Sequence, residues 1–154
     1  MSTTTLDSTS ARGARDERQL VVFALHDEHY ALPITSVREI IRFTPPKAKG
    51  AASGMIQGMI SLRGRVLPVA DLSSRLGRAL EVNDGTKILV VELGAGAIGL
   101  IVDAVEEVLL VSADAIEPMP VSEGGFGDEI AKVGDRLITL LDAERALGGA
   151  LTGP

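Results

Sequence analysis

An internal echo restricts what this chain can become more than any other feature. Sliding the sequence along itself by 71 residues places Met59 on Ile130, Leu62 on Val133, Arg65 on Arg136, Leu67 on Ile138, Val69 on Leu140, Asp71 on Asp142, Leu76 on Leu147 and Gly77 on Gly148. A slide of 68 residues aligns the earlier runs: Phe23 on Val91, Leu25 on Leu93, Tyr30 on Ile98, Leu32 on Leu100, Val37 on Val105, Glu39 on Glu107 and Ile40 on Val108. Apolar coincidences are common, but an arginine, an aspartate and a glycine in register along one segment are not. Self-similarity at a fixed offset marks a structural unit used twice. Two halves, about residues 18–80 and 85–148, therefore share one order of elements.

Each half reads as β structure. The runs Gln19–His26, His29–Pro33, Ser36–Phe43, Met59–Leu62, Arg65–Ala70, Thr86–Leu93, Ala97–Val102, Val105–Val111 and Arg136–Leu141 are dense in β-branched residues and punctuated by Gly, Pro, Asp or Asn. That spacing predicts strands of a small barrel or sandwich. Two short helices, Leu72–Leu76 and Ala143–Leu147, are expected behind Asp71 and Asp142, whose carboxylates can accept from the free N–H groups of a first turn. Gly77 and Gly148 are the expected stops. A sheet of about five strands leaves edges open and buries little area on its own. Two small barrels packed together solve both problems and leave a groove at their junction, where binding sites tend to lie. Residues 1–17 and 149–154 lack apolar patterning and are expected to be tails.

Composition removes several chemistries. The chain has no Cys, which excludes a disulfide frame, a thiolate nucleophile and cysteine-ligated metal. A net charge of −6 with 3% aromatic residues gives no counterion-release drive and no stacking platform, so no nucleic-acid partner is expected. No apolar run reaches the length of a membrane span and the first residues lack a secretory signal, so a cytoplasmic protein without direct membrane insertion is expected.

The remaining motifs need weighing against plainer readings. Gly94-Ala95-Gly96-Ala97-Ile98-Gly99 matches a dinucleotide fingerprint, and a nucleotide-binding enzyme using Gly94–Gly99 is the competing hypothesis from another functional class. The next residues, Leu100-Ile101-Val102, are strand-like rather than helical, and the 68-residue slide puts these glycines on His26–Ala31, another turn, so a hairpin is the better reading. His26 and His29, with Asp27 and Glu28 between them, read as exposed turn residues rather than a zinc site. Ser36, Ser53, Ser61, Ser73 and Ser74 lack a nucleophile context. Glu106 and Glu107 should point to opposite faces of a strand, forming a solvated acidic surface with Asp103. Ser61-Leu62-Arg63-Gly64-Arg65 predicts a tight turn with Gly64 at positive φ. Arg63 then either braces local carbonyls or meets a partner's carboxylate.

Taken together, Val37-Arg38-Glu39-Ile40-Ile41, Ile56-Gln57-Gly58-Met59-Ile60-Ser61-Leu62-Arg63-Gly64-Arg65-Val66-Leu67-Pro68-Val69-Ala70-Asp71-Leu72, Ile98–Val108, Ile116-Glu117-Pro118 and Arg136–Asp142 resemble the CheW family of bacterial chemotaxis coupling proteins. The resemblance covers residues 18–148. It implies an all-β fold of two interlocked five-stranded SH3-like barrels, with no enzymatic activity, catalytic residue, cofactor or metal. The implied role is an adaptor that couples the cytoplasmic tip of a chemoreceptor, a methyl-accepting chemotaxis protein, to the regulatory domain of a CheA-type histidine kinase. Carried over position by position, Val37, Glu39, Arg63 and Val108 are expected to bind receptor, and Gly58 to bind kinase.

Three departures stand out. Ser61 replaces the family's usual Asn, the connection over 44–56 carries Pro45-Pro46 early and Ser53 where a Pro often stands, and Lys87 is charged where many relatives are apolar. An adaptor of a non-flagellar chemosensory pathway, controlling surface motility or development, is thus an alternative. A regulatory fragment that binds only another CheW-like domain is a further one.

Overall fold

The computed structural model describes residues 17–47, 56–73, 81–119 and 127–152. Among them are eleven strands: β1 (Glu17–Leu25), β2 (Glu28–Pro33), β3 (Val37–Arg42), β4 (Ile56–Leu62), β5 (Arg65–Ala70), β6 (Lys87–Leu93), β7 (Gly96–Val102), β8 (Ala104–Ser112), β9 (Ile116–Pro118), β10 (Gly127–Val133) and β11 (Arg136–Leu141). One α-helix, α1 (Ala143–Thr152), follows the last strand.

The strands form two sheets, a five-stranded one in the order β3-β6-β7-β5-β4 and a six-stranded one in the order β8-β1-β2-β11-β10-β9. The halves of the chain exchange their opening hairpins. β1 and β2 of the first half complete the barrel of β8 to β11, while β6 and β7 of the second half complete the barrel of β3 to β5. Sequence equivalence and spatial equivalence coincide down to the register. Val69 pairs with Gly99 across the parallel β5·β7 contact, and Leu140 pairs with Ala31 across β11·β2, the positions that the 71- and 68-residue slides relate. Even the irregularities repeat. A bulge at Arg38 in β3 recurs at Glu106 in β8, and a bulge between Ile56 and Gly58 recurs between Gly127 and Glu129.

Three apolar clusters follow from this interlock. Ile60, Leu67, Val69, Ile88, Val90 and Ile101, with Ile41 and Phe43 against them, fill the five-stranded barrel. Leu20, Val22, Ala31, Val111, Ala131, Ile138 and Leu140 fill the other. The largest cluster lies between the barrels and draws on Phe23, Leu25, Tyr30 and Leu32 from one side and Leu89, Val91, Leu93, Ile98 and Leu100 from the other. Thus β6 sends Ile88 and Val90 into its own barrel and Leu89, Val91 and Leu93 into the junction. A strand buried on both faces must be apolar at successive positions, which is why Ile88-Leu89-Val90-Val91 within β6 reads as a continuous run rather than an alternating one.

The structure departs from the sequence reading in a few places. The six-stranded barrel carries the added strand β9, and β10 was not among the expected strands. In the other barrel the counterpart of β9 shrinks to one bridge, Lys47 with Met59, closed by two 2.8 Å backbone hydrogen bonds. Helix α1 begins behind Asp142 as expected, with Asp142 Oδ1 accepting from the Arg145 N–H at 3.2 Å. It does not stop at Gly148 but runs through Gly149 to Thr152, into the segment expected to be a tail. Glycine permits a helix to end without compelling it. The tail expected over 1–17 lies outside the described residues except for Glu17, which opens β1. Most of the helix expected over Leu72–Leu76, together with Gly77, Ser53, Ser74 and the connection 48–55, also lies outside them.

Candidate functional site

β3 and β4 are the two edges of the five-stranded sheet. The β4–β5 hairpin closes through Arg63-Gly64, with φ of +52° and +79°. Positive φ at both central residues suits the right-handed twist of the flanking strands. Gly64 adopts it freely and Arg63 does so against its side chain's preference. From this turn the Arg63 guanidinium reaches across the seam of the barrel to Glu39 on β3. Nη1 donates to Oε2 at 2.5 Å and Nη2 to Oε1 at 2.8 Å. This fork-on-carboxylate geometry is the strongest form of surface ion pairing. The Arg63 hydrogen bond holds the Glu39 carboxyl below its ordinary range, and the same bond raises the Arg63 guanidinium above its own. Two of the expected receptor-contacting residues are therefore each other's partner. Among the described residues Arg63 bonds no backbone carbonyl, and the carboxylate it meets belongs to its own chain.

A counterpart clasps the other barrel. Glu107, the 68-residue equivalent of Glu39, accepts from Arg136 Nη2 at 2.6 Å, and Arg136 Nη1 lies 3.9 Å from Glu106. His29 Nδ1 stands 2.7 Å from the same Glu106 carboxylate. The expectation that Glu106 and Glu107 diverge to opposite faces fails because the bulge at Glu106 breaks the alternation. Both carboxylates turn toward Arg136.

The other expected contacts are scattered. Val37 opens β3 two residues before Glu39 and is half-buried against the junction cluster. Val108 lies on β8 of the other barrel, 52% exposed. Gly58 is buried, at φ +153° in the β4 bulge. At Gly58 the structure displays a backbone requirement rather than an open surface.

The competing chemistries dissolve in the geometry. Gly94 and Ala95 form the β6–β7 turn, and the chain enters strand β7 rather than a helix, so these glycines do not lead into a helix N-terminus as the fingerprint requires. The Gly94 N–H is already held by the Glu144 carboxylate at 2.6 Å, an anion that would repel a phosphate. Gly99 lies inside β7, where an ideal Cβ would stand 2.8 Å from Ile88 Cγ2, so it is a packing glycine. His26, at φ +58°, bonds through its backbone N–H to Asp103 and places Nε2 3.1 Å from Ser73 Oγ. Ser73 is 1% exposed, so no substrate carbonyl can reach its hydroxyl. The contact is the counterpart of Gly94 with Glu144, each tying a hairpin turn to the segment just after an aspartate. Asp27 and Glu28 are exposed as expected, whereas His26 and His29 are half-buried and engaged.

Comparison with known proteins meets this geometry at every scale. A family model described as the CheW-like domain matches residues 19–150. The chain belongs to the CheW family. It is 36% identical over 135 residues to a probable chemotaxis protein CheW of Rhizobium etli, covering 83% of this chain and 86% of that one. It is 32% identical to the chemotaxis protein CheW of Bacillus subtilis over 136 residues, covering 84% and 86%. The crystal structure of the scaffolding protein TtCheW from Thermoanaerobacter tengcongensis superposes with a TM-score of 0.74 at 35% identity, covering 81% of this chain and 88% of that one. Membership in this family of chemotaxis scaffolds accords with the two interlocked barrels and fits a non-enzymatic role. Among the described residues no helix is long and apolar enough to cross a membrane.

Proposed function

We propose that this CheW-family chain is a cytoplasmic, non-enzymatic adaptor that joins the helical tip of a chemoreceptor to the regulatory domain of a CheA-type histidine kinase. The observation that carries this reading is the Glu39–Arg63 clasp, a bidentate ion pair held at the seam of one barrel with the Arg63 side chain 71% exposed. A pair so presented defines a surface of fixed charge and shape beside Val37, and fixed surfaces are what a scaffold offers. Val37, Glu39, Arg63 and Val108 are assigned to the receptor. Gly58 is assigned to the kinase side through the shape of the β4 bulge rather than through direct contact.

Co-sedimentation with receptor-bearing membranes and kinase tests the assignment. Arg63→Ala and Glu39→Lys are expected to reduce recovery of the adaptor while leaving its circular dichroism unchanged, because neither side chain belongs to a buried cluster. Undiminished recovery of both variants overturns it. The exchanged pair Glu39→Arg/Arg63→Glu separates two roles. Restored recovery means that the clasp shapes the surface, and continued loss means that a partner reads the individual charges.

A further inference from the structure

Position-by-position equivalence between the barrels isolates where they differ. Ile40 on β3 corresponds to Val108 on β8, and both are exposed, at 42% and 52%. One step further along each edge strand the correspondence breaks. β8 continues into Leu110, 59% exposed and opposite Gln19 on β1, whereas β3 continues into Arg42, opposite Lys87 on β6. At these positions one face stays uncharged, with Val108, Leu110 and Gln19, and the other turns from apolar to doubly cationic.

That cation pair is unusual for this molecule. Residues directly opposed in an antiparallel pair share a face, and like charges there repel. The chain carries a surplus of acid, at net charge −6, and Arg18, Arg38, Arg63, Lys132 and Arg136 all have carboxylate partners. Among the described residues Arg42, Lys47, Arg65 and Lys87 have none, and of these only Arg42 and Lys87 stand directly opposite each other. Beside them opens a cavity of about 430 Å³, lined also by Phe43, Val82 and Asp84. Val82 is 54% exposed, and Asp84 forms no ion pair with either cation. The nearby Gly85 N–H is spent on Asn83 Oδ1 at 2.7 Å, so the backbone does not add the converging donors that cradle a free phosphate. Exposed Ile40 and Val82 next to two unpaired cations suit a protein segment that is apolar on one stripe and acidic beside it.

We infer that Arg42 and Lys87 are the selectivity element of the β3 face: the segment docking along Ile40 is an amphipathic helix whose Asp or Glu side chains sit against this cation pair. The inference rests on reading the chain as an adaptor for a helical receptor tip, and it names the chemistry that the tip must present. Docking a carboxylate turns the Arg42–Lys87 repulsion into two attractions, so the charge pattern rejects basic helices as well as accepting acidic ones.

The experiment titrates the full-length protein and the variant Arg42→Glu/Lys87→Glu with three labelled probes by fluorescence anisotropy at low and high salt. The probes are a synthetic amphipathic helix with a Leu stripe flanked by Glu, its Lys-flanked counterpart, and the helical-hairpin tip of a chemoreceptor from the same cell. The unaltered protein is expected to prefer the Glu-flanked helix by roughly tenfold at low salt, the scale of a few partly exposed charge contacts. The variant is expected to reverse that preference, with an unchanged melting curve. Equal affinity for the two synthetic helices, or a preference that the variant leaves intact, overturns the inference whatever the hairpin does. A preference that reverses while the hairpin fails to bind upholds the inference and overturns the receptor reading alone.

Discussion

Replacing Gly99 by alanine pushes a methyl group into the five-stranded barrel. An ideal Cβ there stands 2.8 Å from Ile88 Cγ2 and 3.4 Å from both Leu67 Cδ2 and Val69 Cγ2. Carbon atoms pack best about 3.5–4.0 Å apart, so the Ile88 contact is short by most of an ångström. β7 cannot back away, because it is bonded to β6 along its whole length and to β5 at Val69 and Ala70. Overpacking of this kind costs about 1–3 kcal/mol. For a chain of this size, about 2 kcal/mol corresponds to a fall in Tm of roughly 4–8 °C. Gly94→Ala is the control from the same glycine run. Its Cβ would meet Glu144 Oε2 at an ordinary 3.6 Å, and it should cost no more than about 0.5 kcal/mol. A double-mutant cycle by urea denaturation then assigns the cause. Ile88→Ala alone should cost about 2–5 kcal/mol by leaving a cavity, and adding Gly99→Ala should cost nothing more, since the new methyl enters the vacated space. Simple additivity, within about 0.5 kcal/mol, refutes the packing argument. So does a neutral Gly99→Ala combined with a rise in Tm on adding millimolar NAD or ATP, which linkage would require of a nucleotide site.

Gly58→Ala should destabilise the chain by about 1–3 kcal/mol, because φ of +153° in the β4 bulge is a conformation that an L side chain rarely adopts. Kinase binding measured well below the lowered Tm should then match the unaltered protein, and a binding loss with full stability would make Gly58 a direct contact instead. The clasp predicts a pH dependence whose sign follows from Glu39. Its folded-state carboxyl titrates below the unfolded value of about 4.3, so its contribution is present above that value and lost as the pH falls through the folded one. The stability difference between the protein and Glu39→Gln should therefore be constant from pH 6 to 8 and close below about pH 4. A difference that widens on acidification contradicts the clasp.

Much of this architecture was legible because the duplication multiplied weak signals. One apolar run says little, but Val69 with Leu140 in the 71-residue slide and Phe23 with Val91 in the 68-residue slide predicted strands that the structure places at equivalent points of two barrels. The turn at Arg63-Gly64 was legible for a local reason, since few residues besides glycine accept positive φ. The clasps were hidden for a different reason. Glu39 on β3 and Arg63 in the β4–β5 turn lie 24 residues apart, β3 shares no ladder with β4 or β5, and only closure of the barrel brings them together. The alignment of Glu39 with Glu107 and of Arg65 with Arg136 held a hint. It was obscured because one barrel uses the arginine in the turn and the other the arginine that starts the next strand. Bulges at Arg38 and Glu106 were invisible too, because an extra residue in a strand leaves no mark on composition while it undoes the alternation on which side-chain directions were assigned.

Exchange of hairpins has a mechanical consequence that bears on scaffolding. β1 and β2 are central strands of one barrel, β6 and β7 are central strands of the other, and the outward faces of all four meet in the largest apolar cluster. Neither barrel can turn against the other without withdrawing strands from a sheet and stripping Phe23, Leu89 and Leu100 of their packing at once. The two exposed edges, with Ile40 beside one clasp and Val108 beside the other, are thus held at fixed separation and orientation. An adaptor that relies on induced fit would need a hinge at this point, and the interlock removes it. On the adaptor reading proposed above, selectivity between partners comes from surface chemistry rather than from rearrangement. Arg42 against Leu110 and Lys87 against Gln19 are two places where equivalent positions of the barrels carry different chemistry.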